Sequence, residues 1–225
     1  MLNLKGCVVS GSLILAFVAA PAFAEKVDAV KKAPSAAKVV EKASVVGKSV
    51  RVDSKASVVE WKGSKITGAV HHGTVGIKEG EVQMEGKKLA GGKIVVDMAS
   101  IVNIDLTDKE YNQKLVGHLK SDDFFDIAKF PTATLLVKSS EIQKDGTYKV
   151  KGELTMKSET HPVDFLAKLS ADGKSVEADI VFDRTEWNIR YGSGKFFANL
   201  GDKVISDKVE LKVKLGFAGA VFASK

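Results

Sequence analysis

Few residues of this chain are of the types that carry out reactions. There are four histidines, His71, His72, His118 and His161, and one cysteine, Cys7. A metal centre needs three or four convergent ligands, and no HExxH or Cys/His cluster is present. His71 and His72 are adjacent, so on a strand they point to opposite faces and do not suit one ion. No serine stands in a GxSxG turn, and no glycine-rich loop opens a helix to cradle phosphate. Asp122, Asp123 and Asp126 admit two readings. One is a carboxylate pair for acid–base work, which needs two environments that split the pKa values. The other, favoured by their place just past a helix, is solvated or capping groups. The sequence thus offers neither a nucleophile nor a metal site, and the expectation is a protein that is not an enzyme.

The information lies in apolar periodicity. In residues 147–156, Tyr148, Val150, Leu154 and Met156 share one face, and Lys149, Lys151, Glu153 and Thr155 share the other. In 209–217, Val209, Leu211, Val213, Leu215 and Phe217 alternate with Glu210, Lys212, Lys214 and Gly216. Side chains alternate across a strand, so each segment buries one face and wets the other. The same pattern predicts strands over 50–53, 57–63, 65–77, 81–86, 91–99, 132–141, 146–157, 161–169, 175–183 and 204–217. Turn signals separate them at Lys78-Glu79-Gly80, Gly86-Lys87-Lys88, Lys144-Asp145-Gly146 and Asp172-Gly173-Lys174. Gly91-Gly92 predicts a bend or bulge. Short connections at regular spacing predict an all-β antiparallel meander, closed as a barrel or stacked as a sandwich. One helix interrupts it over 108–120. Thr107 and Glu110 have capping-box spacing, Leu106 and Tyr111 the spacing of a hydrophobic staple, and Tyr111, Leu115 and Leu119 form an apolar stripe. That helix is expected to plug a barrel end or cover a sheet edge.

An eight-stranded barrel stands between two outcomes: side chains fill it, or it keeps a cavity for one small ligand. Small inward residues (Ala133, Gly152, Ala167 and Ala178) leave room, and both outcomes stay open on pattern alone. Aromatic pairs in loop-like segments, Phe124-Phe125 and Phe196-Phe197, are either local core or a gate at a barrel mouth.

The ends of the chain read differently. Lys5, an apolar run over 7–20 and Ala22-Phe23-Ala24 have the form of a secretory signal peptide cleaved after Ala24. The run is too short for a confident membrane span, which takes roughly 20 residues. Cys7 precedes nearly all of it, so no lipid-modified cysteine is expected. Residues 25–49 are rich in Ala, Lys and Val and predict a disordered or weakly helical linker. Residues 50–217 form the folded domain and 218–225 a C-terminal tail. Seven lysines against three carboxylates in residues 1–48 carry most of the formal net charge of +6. The folded part has no basic, aromatic-interleaved cluster, so no nucleic-acid partner is expected. Stable membrane insertion is not expected either.

Five stretches then stand in order: WKGSKITGAVHHGTV at 61–75, GGKIVVDMASI at 91–101, HLKSDDFFDIAKFPTATL at 118–135, GELTMKSETHPV at 152–163 and FDRTEWNIRYG at 182–192. With VISDKVELKVKL at 204–215, they resemble the YceI-like family of bacterial lipocalin-like proteins. The resemblance implies an extended antiparallel eight-stranded lipocalin-like β-barrel with a short covering helix. It implies a long apolar tunnel holding a polyisoprenoid, a quinone-like molecule or a fatty-acyl chain as ligand, and no cofactor. It implies export to the periplasm, no catalytic set, and links to stress at altered pH or osmolarity. Homodimerisation stays open. Under this resemblance, Trp61, Phe124, Phe125, Phe130, Phe165, Phe182 and Trp187 are candidates for the tunnel wall or mouth. His118, Arg184, Asn188 and Arg190 are candidates for contacts with a polar head.

Overall fold

The structure, a computed structural model, describes residues 47–221. Eight strands follow one another around a closed antiparallel barrel: β1 (Lys48–Ser64), β2 (Val70–Glu85), β3 (Lys88–Asn103), β4 (Thr132–Ile142), β5 (Tyr148–Met156), β6 (Glu159–Leu169), β7 (Ser175–Asp183) and β8 (Lys208–Phe217). One helix, α1 (Lys109–Lys120), lies between β3 and β4. No helix among the described residues is long and apolar enough to cross a membrane. The expected signal peptide, and the expected linker up to residue 46, lie outside the described residues.

Alternation decides the inside. Along β5 the buried residues are Tyr148, Val150, Gly152, Leu154 and Met156, with the lysines between them exposed. Val150 has no exposed surface, and full burial of such a side chain stabilises by about 1.5–3 kcal/mol.

Several expectations need correction. The predicted strands 65–77 and 204–217 begin later, β2 at Val70 and β8 at Lys208, because residues 65–69 form a turn in which the Gly68 amide donates to Lys65 O at 3.0 Å and a 3-10 turn at Gly201–Lys203 precedes β8. The predicted strands 50–53 and 57–63 are one strand, β1, with its register broken between Asp53 and Val58 against β8. Asp53 Oδ1 accepts from the Lys55 amide at 2.9 Å, and the buried Ser57 hydroxyl receives the Gly216 amide at 2.9 Å. The kink is thus sealed instead of becoming a turn. Lys78-Glu79-Gly80 is no turn either, because β2 runs through it with a register shift between Ile77 and Glu79. A bulge absorbs the extra residue and the ladder continues. The helix starts on Asp108, not Thr107: the Asp108 carboxylate accepts from the amides of Glu110 and Tyr111. The Tyr111 ring faces solvent instead of closing a staple. The Gly91 bulge is present, with Gln83 opposite Gly91 and Met84 opposite Leu89.

The barrel wall is uneven. Strands β7 and β8 pair from Ser175 to Asp183. Strands β6 and β7 pair only over Leu166–Leu169 against Val176–Asp179. The remaining gap between them is spanned from the 3-10 turn at Arg184–Trp187. Trp187 has no exposed surface. Its indole donates to the Leu154 carbonyl at 2.9 Å, and its ring meets those of His161 and Phe182 edge-on. Asn188 reaches the Glu159 carboxylate at 3.0 Å.

Candidate functional site

A meander of antiparallel strands has two ends. At one lie the β2–β3, β4–β5 and β6–β7 turns, Val221 and the start of β1. At the other lie the Ser64–Val70 turn, α1, the segment 121–131, the Lys157-Ser158 turn and the segment 184–207. A cavity of about 130 Å³ opens at this second end. Its walls are inward residues of the barrel, among them Val59, Val75, Met98, Ala133, Met156, Val209 and Leu211. Its cover is Leu119 from α1 with Phe124 and Phe125 from the following segment, and Ile189 and Ile205. A second void of about 30 Å³ sits at the first end, lined by Tyr148, Leu169, Val176, Phe217 and Val221 among others. The two share no lining residue, so among the described residues these two hollows do not join into the tunnel that the resemblance implies.

What divides them is visible at the small residues. A methyl placed on Gly152 would stand 3.1 Å from Leu135 Cδ1 and 3.7 Å from Phe165 Cε1. Ala167 and Ala178 lie in a packed cluster with Val137, Tyr148 and Val150. Small residues in the middle of the barrel admit large neighbours and leave no hole. Only Ala133 of the four faces the cavity.

The expected site residues separate accordingly. Trp61, Phe124, Phe125, Phe182 and Arg184 line the cavity. Trp61 lies against the backbone opposite it: a Cβ on Gly73 would come within 2.8 Å of the indole, and the indole N–H donates to the Val102 carbonyl at 3.1 Å. Trp187 is in the core beside Phe182 and does not line the cavity. Phe165 belongs to the packed middle. Phe130 lies outside the cavity in the segment ahead of β4, its amide bound to the Asp126 carbonyl at 2.8 Å. Arg190 is exposed, with its guanidinium carbon 4.7 Å over the Phe196 ring. His118 stands behind the cover. Its ring meets Phe124 at 5.1 Å and Tyr191 at 4.4 Å, both edge-on, and its Nε2 lies 3.3 Å from Asp123.

Arg184 is committed to backbone. Its Nη1 donates to Ile189 O at 2.7 Å, its Nε to Ser206 O at 3.0 Å and its Nη2 to Ile205 O at 3.2 Å. Asp207 lies 3.5 Å away. Burial lowers the Arg184 pKa, opposed by Asp207 and Asp183. The guanidinium thereby clamps the 189–206 segment over the cavity. Beside it, burial pushes the Asp183 carboxyl up, but hydrogen bonds from Lys195 and from the Thr185 side chain and amide outweigh this and hold it at about 2. The cover is also tethered from below. Lys157 Nζ donates to the Phe124 carbonyl at 2.6 Å. Lys157 and its neighbour Ser158 form the tight β5–β6 turn with φ of 48° and 68°. This left-handed region is uncommon for residues other than glycine, asparagine and aspartate.

The remaining histidines are structural. His71 Nδ1 is 2.8 Å from Asp105 Oδ2, and His72 donates its amide to Asp105 Oδ1 at 2.8 Å. Burial raises the Asp105 pKa, but these bonds and one from Asn103 bring it below the usual value. Asn112 of α1 bonds to Asn103, so this cluster anchors the helix to the end of β3. Among the described residues no group of three or more His, Cys, Asp or Glu side chains could hold a metal.

Sequence reasoning missed Met98, Met156, Ile189, Ile205, Val209 and Leu211 as cavity residues. The alternation did place Met98, Met156, Val209 and Leu211 on apolar strand faces. Nothing local distinguished the end with the larger cavity from the end with the small void.

Proteins of known sequence and structure share this design. A UPF0312 protein of Pseudomonas putida is 32% identical over 116 residues, which is 52% of this chain and 58% of that protein. A UPF0312 protein of Yersinia pestis is 32% identical over 96 residues, 42% of this chain and 46% of that protein. The chain therefore spans about half the length of these relatives. The crystal structure of BcnA from Burkholderia cenocepacia superposes with a TM-score of 0.52 at 24% identity, over 73% of this chain and 98% of BcnA. A polyisoprenoid binding domain from Saccharophagus degradans, implicated in plant cell wall breakdown, superposes with a TM-score of 0.51 at 16% identity, over 76% and 98%. At these identities the two structures establish the shared fold. Residues 50–217 match the family model of the YceI-like domain, and the chain belongs to that family.

Proposed function

We propose that this barrel is a non-enzymatic binding protein for an amphiphile, which enters with its apolar end first. The observation that carries this reading is the 130 Å³ cavity, walled by aliphatic and aromatic side chains. Its polar neighbours are Arg184, whose donors are committed to carbonyls, and Ser206. A polar head finds no partner there and stays outside.

Size limits the enclosed part. A dry apolar cavity of about 150 Å³ takes one benzene. About five methylene equivalents fit on that scale, worth roughly 4 kcal/mol at about 0.8 kcal/mol each. That corresponds to binding near 1 mM. Micromolar binding takes about twice the buried tail, so a long chain must displace Phe124 and Phe125 or the packed ring at Phe165. A polyisoprenoid, as bound by the S. degradans domain, a quinone-like molecule or a fatty-acyl chain meets the chemistry. We place the carrier or reservoir in the periplasm on the sequence of residues 1–24.

A second reading, a stress-related interaction barrel with a packed core, draws support from the solid middle and the 30 Å³ void. Native mass spectrometry and solvent extraction of purified protein decide between them. A co-purifying amphiphile, lost in Ala133→Leu and Ala133→Phe with the β-sheet spectrum intact, supports the carrier. Protein that is empty in repeated preparations and takes up no long-chain probe overturns it in favour of the interaction barrel.

A further inference from the structure

We propose that the cavity end of the barrel is a docking face for an anionic lipid surface. This goes beyond the binding reading and does not rest on it. Large apolar side chains exposed singly are ordinary, but clusters of them mark contact sites. Leu136, Ile142, Leu166 and Val181 are exposed singly along the barrel wall, whereas the others gather on the rim. Ile66 (65% exposed), Ile104 (58%), Tyr111 (65%), Tyr191 (45%), Phe196 (45%) and Phe197 (49%) all belong to the connections around the cavity. These connections form one surface. The Ile66 amide donates to Val204 O at 3.1 Å and the Ile205 amide to Gly192 O at 2.8 Å. Tyr191 rests on His118 at the end of α1, and the Ile104 amide donates to His72 O at 3.1 Å.

Charge complements the aromatics. Lys65, Arg190 and Lys203 are exposed, and no carboxylate lies within ion-pair distance of them among the described residues. Arg190 covers the face of Phe196. Lys195 is held by Asp183 at 2.6 Å and does not count. Of the carboxylates in these connections, Asp105, Glu110, Asp123, Asp126 and Asp207 face histidine, lysine or arginine partners and Asp108 caps α1, which leaves Asp122, Glu186 and Asp202 against Lys65, Arg190 and Lys203 together with Lys109 and Lys120 of α1. Aromatic rings with cations beside them suit the boundary between lipid headgroups and acyl chains, and each unpaired cation adds attraction to an anionic surface.

The test uses the chain from Glu25 to Lys225, which keeps the whole barrel. It is sedimented with vesicles of phosphatidylcholine alone and of phosphatidylcholine mixed with phosphatidylglycerol. Association is expected with the mixed vesicles and should fall as salt rises. F196S/F197S should weaken it about tenfold or more, and Ile66→Ser, on a separate connection, should weaken it independently. K65E/K203E should weaken it on mixed vesicles only. Ile142→Ser and Leu166→Ser, exposed on the barrel wall, should change nothing, and unchanged melting temperatures verify folding. Equal binding by rim and wall variants overturns the proposal. So does absence of vesicle binding together with a dimer that F196S/F197S dissociates, which would make the rim a face for a second copy. Uptake of a long-chain probe by F196S/F197S separates this outcome from failure of the cavity, since both phenylalanines lie outside it.

Discussion

The two ends of this barrel obey the same alternation and come out differently. At the end that keeps only the 30 Å³ void, the turns are short and their polar groups are used at once: Tyr148 Oη donates to Lys87 O at 2.7 Å and Ser140 to Leu89 O at 2.7 Å. Burial raises the Tyr148 pKa, as befits a phenol held in place without an ionic partner. Val221 is 2% exposed and its amide bonds to Gly173 O at 2.8 Å, so the start of the expected tail closes that end. At the hollow end the cover is a helix and two long connections that must be brought over the opening and clamped. Arg184, Asp183 and Lys157 do the clamping. A strand pattern specifies a wall, and whether an end is empty depends on what is laid across it.

Substitutions should expose this asymmetry. The largest effect is expected for Arg184→Ala, which leaves three carbonyls and Asp207 without a buried partner. It should destabilise by about 3–5 kcal/mol in urea unfolding, with the loss concentrated in the hollow end by hydrogen exchange. A smaller but sharper contrast comes from one substitution made twice. Ala167→Leu, in the packed middle, should destabilise by about 1–3 kcal/mol through overpacking. Ala133→Leu, beside the cavity, should leave the melting temperature unchanged or raised and remove ligand binding. Equal destabilisation by both would erase the distinction between the ends.

Acid should act on the hollow end first. Asp183 titrates at about 2 in the folded chain against 3.8 as a free side chain. A depressed carboxylate stabilises above its unfolded pKa, and that stability is lost as pH falls from about 4 towards 2. The linkage is worth about 2 kcal/mol. Asp183→Asn should flatten the stability curve in that window, and denaturation across pH 2–5 measures it. The smallest effect belongs to the wall between the ends. Lys62 and Glu210 pair at 3.1 Å with both side chains about half exposed. Lys62→Ala should change stability by less than about 1 kcal/mol and leave binding untouched.

Most of the architecture was legible because a strand writes its burial in every second residue. The helix was legible from Leu115, Leu119 and an N-terminal polar cluster, although Asp108 took the cap that Thr107 was expected to hold. Lys78-Glu79-Gly80 misled because the same residues serve a turn and a bulge, and the pairing partner decides. The site was half legible. Trp61, Phe124, Phe125, Phe182 and Arg184 reach the cavity, but Arg184 does so as a clamp and not as a ligand contact. Phe165 and Trp187 carry the same aromatic signal and end in solid packing, because Gly152 and the β6–β7 gap give them room. Such vacancies are made by distant residues and leave no local mark.

The short ladder between β6 and β7 sets how the barrel can change its girth. Every other neighbouring pair of strands is laced along a longer line, so widening elsewhere would break more backbone bonds at once. Along this seam only Leu166–Leu169 and Val176–Asp179 are joined, and the rest is wedged by one indole. A guest too thick for the resting hollow would therefore part the staves there, with Trp187 as the peg that must shift.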